Sequence, residues 1–204
     1  MFISFEGIDG VGKSTQIRMA EEYLRGLGKE VITTFEPGGS ELGHEIRGLL
    51  LHRKGDVAPR AEALLYAADR AHHVATKVRP ALAEGKVVIT DRYLDSSVAY
   101  QGAGRNLSAS EVRGISMWAV DGLLPDVTFL LDLDASAARA RREQTGEEPD
   151  RLEREKIDFF EAVRAEFLKL AADEPNRFVV VDANQSPPEI FGVIQAKLGQ
   201  LLKV

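Results

Sequence analysis

Residues 6–15 read EGIDGVGKST. Gly7 to Ser14 fits the spacing G-x-x-x-x-G-K-[ST], preceded by the apolar run FISF (2–5) and followed by a helical pattern. Strand, glycine-rich turn and helix in that order make a phosphate cradle. Glycines let the backbone amides turn inward on an anion, and the helix N-terminus adds its positive end. Gly7, Ile8, Asp9, Gly10, Val11, Gly12, Lys13, Ser14 and Thr15 are therefore assigned to nucleoside triphosphate binding. Lys13 is placed to reach the β- and γ-phosphates, and the Ser14 hydroxyl to ligate Mg²⁺. Gly10 brings no side chain, so the loop offers only Lys13 as a cation. A transferred phosphoryl group carries charge on three oxygens, and further positive groups must come from elsewhere.

Working outward, apolar β-branched runs alternate with longer helical patterns. The strands are expected at 2–5, 31–35, 87–90, 127–133 and 178–181. They read as apolar runs buried on both faces. Helices are expected at about 13–27, 41–51, 60–83, 109–121, 135–142, 152–172 and 188–202. Ser40 and Ser108 are placed as N-caps, and Gly28 and Gly85 as helix terminators. This alternation predicts an α/β fold, a parallel sheet flanked by helices on both faces. The 204 residues suit a single domain over 1–204. The stretch QTGEEPD (144–150) is polar and turn-forming, and reads as the tip of a mobile lid.

Composition narrows the class. Hydrophobic residues make up 44% and charged ones 28%, which is ordinary for a globular protein. The chain has no cysteine, which excludes disulfides and thiolate metal sites. No apolar run approaches the roughly 20 residues of a membrane span, and no secretory leader is read at the N-terminus. The formal net charge of −6 argues against a nucleic-acid partner. The expectation is a cytoplasmic protein with neither membrane nor nucleic-acid partner.

The acceptor side is read from three further runs. The third strand enters DRY (91–93). Ligands gather at the carboxyl ends of parallel strands. Asp91 is thus placed to hold a magnesium-bound water, and Arg92 to clamp a second phosphate with its forked donors. LLYAADRAHH (64–73) puts Tyr66 and Arg70 on one helical face, an aromatic ring beside a guanidinium, suited to a base. His72 and His73 read as surface or structural. EPGGS (36–40) turns into the next helix, on which Arg47 is placed to face an acceptor phosphate.

FEGIDGVGKSTQ, EPGGS-x-LG, LLYAADRAHH, DRYLDSSVAYQGAGR and DRLE-x-E-x-x-DFF, in this order and spacing, resemble the bacterial thymidylate kinases over essentially the whole chain. The resemblance implies a P-loop NTPase fold with a five-stranded parallel sheet and a lid at about 139–154. It also implies a homodimer that uses ATP and Mg²⁺ to phosphorylate dTMP to dTDP, for dTTP synthesis. Carried onto matching positions, it implies that Arg92 and Arg47 hold the dTMP phosphate and that Tyr66 stacks on thymine. Arg70 and Gln101 would hydrogen-bond the base edge, with Ser97 and Tyr100 lining the pocket. Asp9 and Glu36 would lie near the sugar and metal, with Asp9 counted among the catalytic groups. Ala183 and Gln185 would lie beside adenine.

The family supplies its extra cation either from the P-loop or from the lid. With Gly10 in the loop, this chain resembles the lid-arginine branch. Arg139, Arg141, Arg142, Arg151 and Arg154 flank the lid tip. Arg151 is the first choice for the catalytic cation and Arg142 the second. Two positions depart from the family pattern: Phe35 stands where an arginine is common, and Phe167 where a tyrosine is frequent. Phe159, Phe160 and Trp118 are assigned to the core or the dimer interface. Two other classes were weighed. One is a kinase for another small acceptor, such as a deoxynucleoside. The other is a GTPase or ATPase switch, against which the chain lacks an N-K-x-D guanine motif.

Overall fold

The computed structural model describes residues 1–105, 107–144, 146 and 148–204. Five parallel strands, β1 (Phe2–Glu6), β2 (Val31–Phe35), β3 (Val87–Asp91), β4 (Val127–Asp132) and β5 (Phe178–Asp182), form one sheet in the order β2-β3-β1-β4-β5. β1 is central. Its Phe5 lies in register with Asp91 on one side and Phe129 on the other. The chain reverses its winding direction at β1, so the loop after it opens at the topological switch point, where α/β sheets bind ligands.

β1, β3 and β4 are buried almost throughout, as continuous apolar runs demand. The edge strands differ from the expectation. β2 and β5 each bury only their first and fourth residues and leave the rest partly or fully open, as edge strands with a neighbour on one side only. α1 (Lys13–Gly26) and α9 (Pro187–Leu202) pack on each other and on the sheet. A second group contains α3 (Pro59–His73), α5 (Leu94–Ser97), α6 (Ala109–Ala119) and α8 (Ile157–Asp173). α2 (Glu41–Arg47), α4 (Arg79–Ala83) and α7 (Ala135–Glu143) complete the helices among the described residues. The caps fall as read: Ser40 accepts from the Gly43 amide and Ser108 from the Glu111 amide. Gly28 and Gly85 take positive φ just past α1 and α4.

Three expected helices are altered. The 41–51 helix passes into a π-helical turn at Gly48–His52. The 60–83 helix is interrupted by a π-helical turn at Val74–Val78. Pro80 lacks the amide that would continue the ladder, and the helix widens just before it. The 152–172 helix begins only at Ile157, because Asp150 Oδ1 accepts from the Leu152 and Glu153 amides and closes a turn there. α5 and the π-helical segment Val98–Ala103 were not expected from sequence; both carry acceptor-side residues. Of the expected lid tip, Thr145 and Glu147 lie outside the described residues.

Candidate active site

The phosphate loop runs from Gly7 to Ser14 between β1 and α1. Lys13 is buried, and its Nζ donates to the Gly7 and Ile8 carbonyls at 3.1 and 3.2 Å, with Asp9 at 3.9 Å. Burial, followed by the Arg92 charge, lowers its pKa. Gly10 has φ +88°, and a Cβ there would lie 2.1 Å from the Ala138 carbonyl of α7. α7 thus sits on the loop at Gly10 and leaves no room for a loop arginine.

Arg92 follows β3 with φ +66°, a strained value for a non-glycine residue. Its guanidinium reaches the Gly7 carbonyl (3.0 Å), Ser96 Oγ (3.0 Å), Asp9 (2.6 Å) and the Tyr100 hydroxyl (3.1 Å). Burial would raise the Asp9 carboxyl, but Arg92 and then Lys13 overcome it and hold the pKa near 2. Asp9 is therefore an ionised anchor at neutral pH. The turn is fixed from below by Glu6, which is fully buried. Glu6 accepts from the Tyr93 amide (2.8 Å) and from Ser96 Oγ (2.5 Å). Burial first, then Asp95, pushes the Glu6 carboxyl up to about 8.

Asp91 ends β3, and its Oδ1 is buried without a hydrogen-bond partner among the described residues. It lines the same cleft as Ser14. An orphaned carboxylate oxygen beside a P-loop hydroxyl fits a hard, oxygen-seeking cation. Among the described residues no cluster of three or more His, Asp or Glu could hold a metal.

A second cavity adjoins this cleft, lined by Tyr66, Arg70, Ser97, Tyr100 and Gln101. Asp9, Glu36, Arg47, Arg92 and Glu153 line both. Arg70 is 1% exposed, and four of its five N–H donors are taken. Nε bonds Glu36 at 2.6 Å, Nη1 bonds Ser116, and Nη2 bonds Ser97 Oγ and the Tyr93 carbonyl. Among the described residues one Nη1 donor is left without a partner, on a side chain that lines the cavity. Burial acts to lower the Arg70 pKa, but the Glu36 ion pair reverses this and raises it. Glu36 also bonds His73, which is buried and reaches Thr34: a structural histidine, as expected.

Arg47 donates to the Pro37 carbonyl, and its guanidinium lies 5.7 Å from the Phe35 ring. Phe35, the departure from the expected pattern, thus lies against Arg47. Phe167 is buried, with its ring 6.3 Å from Tyr100. The Tyr100 hydroxyl, bonded to Asp9, supplies a phenol at the site. Phe160 is core, Phe159 is half-buried against Arg105, and Trp118 is 84% exposed.

The lid arginines divide in a way the sequence order did not anticipate. Arg142 lines the phosphate cleft and pairs with Glu153 at 2.7 and 3.0 Å. Arg141 lines the same cleft and donates to the Ala183 carbonyl, so it spans from the loop to the segment after β5 that carries Gln185. Arg151, the first choice from sequence, lies elsewhere. It donates to the Leu50 carbonyl and pairs with buried Glu62 behind the second cavity. The DRLE turn closed by Asp150 directs it there. Sequence reading also passed over Glu6, Glu62 and Ser96, and named Arg141 only as one of five arginines flanking the lid tip. Only Glu62 carried a signal, standing four residues before Tyr66 and eight before Arg70 on one face of α3.

The thymidylate kinase family model matches residues 5–194. The chain is 62% identical to the thymidylate kinase of Leifsonia xyli subsp. xyli, over 97% of this chain and 94% of that one. It is 60% identical to that of Clavibacter sepedonicus, over 99% and 96%. The crystal structure of thymidylate kinase from Ehrlichia chaffeensis superposes with a TM-score of 0.81 at 30% identity, covering 97% of this chain and 98% of that one. A phosphate loop joined to a second cavity by two arginines, on a five-stranded parallel sheet, agrees with these matches. This chain belongs to the thymidylate kinase family.

Proposed function

We propose that this protein phosphorylates dTMP to dTDP with ATP and Mg²⁺, by in-line transfer and without a covalent enzyme intermediate. One observation carries the reading: the phosphate-loop cleft and the Tyr66–Arg70–Gln101 cavity share a wall containing Arg47 and Arg92. A nucleoside monophosphate in the second cavity would present its phosphate at that wall, facing the γ-phosphate held by the loop. Tyr66 would stack on the base, and Arg70, Gln101 and Ser97 would meet its polar edge. Glu36 and Tyr100 would border the sugar, with Asp9 holding Arg92 in position.

The acceptor oxygen is already ionised, so the protein's task is alignment and charge compensation. Lys13 would meet the transferring charge from the loop. Arg142 is placed to meet it from the lid, so it takes precedence over Arg151, whose bonds to Glu62 and Leu50 suit an anchor of the lid. Ser14 and Asp91 would hold Mg²⁺, which when bound offsets charge on the β- and γ-phosphates. Arg141 and the Ala183–Gln185 segment would border the adenine.

We further read the chain as one kinase domain over 1–204 with its lid at about 139–154, and as a cytoplasmic homodimer. Leu64 on α3 and Trp118 on α6 are 56% and 84% exposed, and they support a dimer face there. No described helix is long and apolar enough to cross a membrane. A coupled assay for ADP release, run over a panel of deoxynucleoside monophosphates, tests the reading. dTMP should give the highest kcat/KM, and a purine monophosphate as best substrate would refute it.

A further inference from the structure

We propose that Glu62 is a positioning residue for base selection: its carboxylate fixes the side-chain amide of Gln101 with the carbonyl oxygen toward the base. The inference rests on the reading of the second cavity as the thymine pocket. Glu62 is fully buried on α3. Its Oε1 accepts from Gln101 Nε2 at 3.0 Å and from Arg105 Nε at 3.3 Å. Its Oε2 accepts from Arg151. Arg105 is itself held by Glu155 at 2.6 Å. Two guanidiniums from outside the pocket thus pin the carboxylate.

An ionised carboxylate only accepts, so the amide nitrogen of Gln101 must be the atom turned toward it. Gln101 is 1% exposed and lines the cavity, and its Oε1 has no hydrogen-bond partner among the described residues. Flipping the amide would set two acceptor oxygens against each other in a buried site. A glutamine alone reads either a donor or an acceptor at a pyrimidine N3. A glutamine held by Glu62 reads only a donor. Thymine and uracil carry N3–H; cytosine has a bare N3. Glu62 therefore removes an ambiguity that neither Gln101 nor Arg70 removes, without touching the base.

The test uses dTMP and 5-methyl-dCMP, which share shape and methyl group and differ only at positions 3 and 4. Glu62→Gln can present either an oxygen or an amide nitrogen to Gln101, which frees the flip. The ratio of kcat/KM for dTMP over 5-methyl-dCMP should fall by about tenfold, the scale of one buried mismatch released. In a Gln101→Met background the same substitution should change the ratio less than about twofold. A Glu62→Gln ratio equal to wild type overturns the proposal. So does an equal fall in the Gln101→Met background, because Glu62 would then act by another route. If Glu62→Gln does not fold, Glu62→Asp, which draws the carboxylate back from Gln101, takes its place: the ratio must fall in the wild-type background and not in Gln101→Met, and an unchanged ratio overturns the proposal. Absence of dTMP turnover in the wild type would instead overturn the thymidylate reading itself.

Discussion

The Arg70–Glu36 pair separates what the site needs for stability from what it needs for selectivity. Both side chains are 1% exposed and 2.6 Å apart. Arg70→Met removes the guanidinium and leaves Glu36 buried with, among the described residues, only His73 bonded to its side chain. Removing one member of a buried pair costs roughly 3–5 kcal/mol. For a chain of this size about 1 kcal/mol moves Tm by roughly 2–4 °C, so calorimetry should record a fall of roughly 6–20 °C. Adding Glu36→Gln removes the stranded charge, and the double variant should recover more than half of that loss. Selectivity should not recover. The Nη1 donor of Arg70 left without a partner among the described residues suits the O4 of thymine or uracil and clashes with the amino group of cytosine. Both variants should therefore narrow the kcat/KM ratio of dUMP to dCMP by about tenfold or more, the range of one charged hydrogen bond. A double variant no more stable than Arg70→Met would refute the buried-charge argument. An unchanged ratio in both would show that Arg70 does not read position 4.

The remaining predictions concern the phosphates and the turn that holds Arg92. Lys13→Ala should lower kcat by at least about 10²-fold in steady-state assays while calorimetry shows dTMP affinity within about threefold. Arg142→Ala should lower kcat in the same manner, whereas Arg151→Ala should mainly raise the KM for dTMP through loss of its hold on Glu62; the reverse pattern would restore Arg151 as the catalytic cation. Glu6, raised by burial and by Asp95 from its ordinary 4.5 to about 8, stays protonated in the folded chain after the unfolded chain has released its proton. Its contribution to stability is full below about pH 4.5 and is lost as pH rises through about 8. Glu6→Gln should therefore flatten the decline in Tm between pH 5 and pH 8, measured in parallel buffers.

The fold was legible because each buried strand is a continuous apolar run and the phosphate loop fixes the first strand–helix unit. The strand order was not, since crossovers leave no local trace; the family resemblance implied five parallel strands, and the structure orders them. The pocket residues Tyr66 and Arg70 were legible from helical spacing, and Arg92 from its place at a strand end. The lid was misjudged for a physical reason. Arg151 was chosen for its place in the DRLE run beside a loop with no arginine, and that motif leaves no trace of the Asp150 turn that directs it to Leu50 and Glu62. Glu6 and Glu62 escaped notice because a single buried acid in an apolar run or on a helix face looks the same as a surface charge until its neighbours are known. Gly10 shows the opposite case. Its lack of a side chain was read as a missing cation, and the structure adds that α7 occupies that space.

Transfer of label from [γ-³²P]ATP to an acceptor tests the central claim most directly. The account predicts label in dTDP when dTMP is supplied with Mg²⁺, much less label with dCMP, and almost none released as free phosphate. Label appearing chiefly as free phosphate regardless of dTMP, or transferred preferentially to a nucleoside hydroxyl, would contradict it.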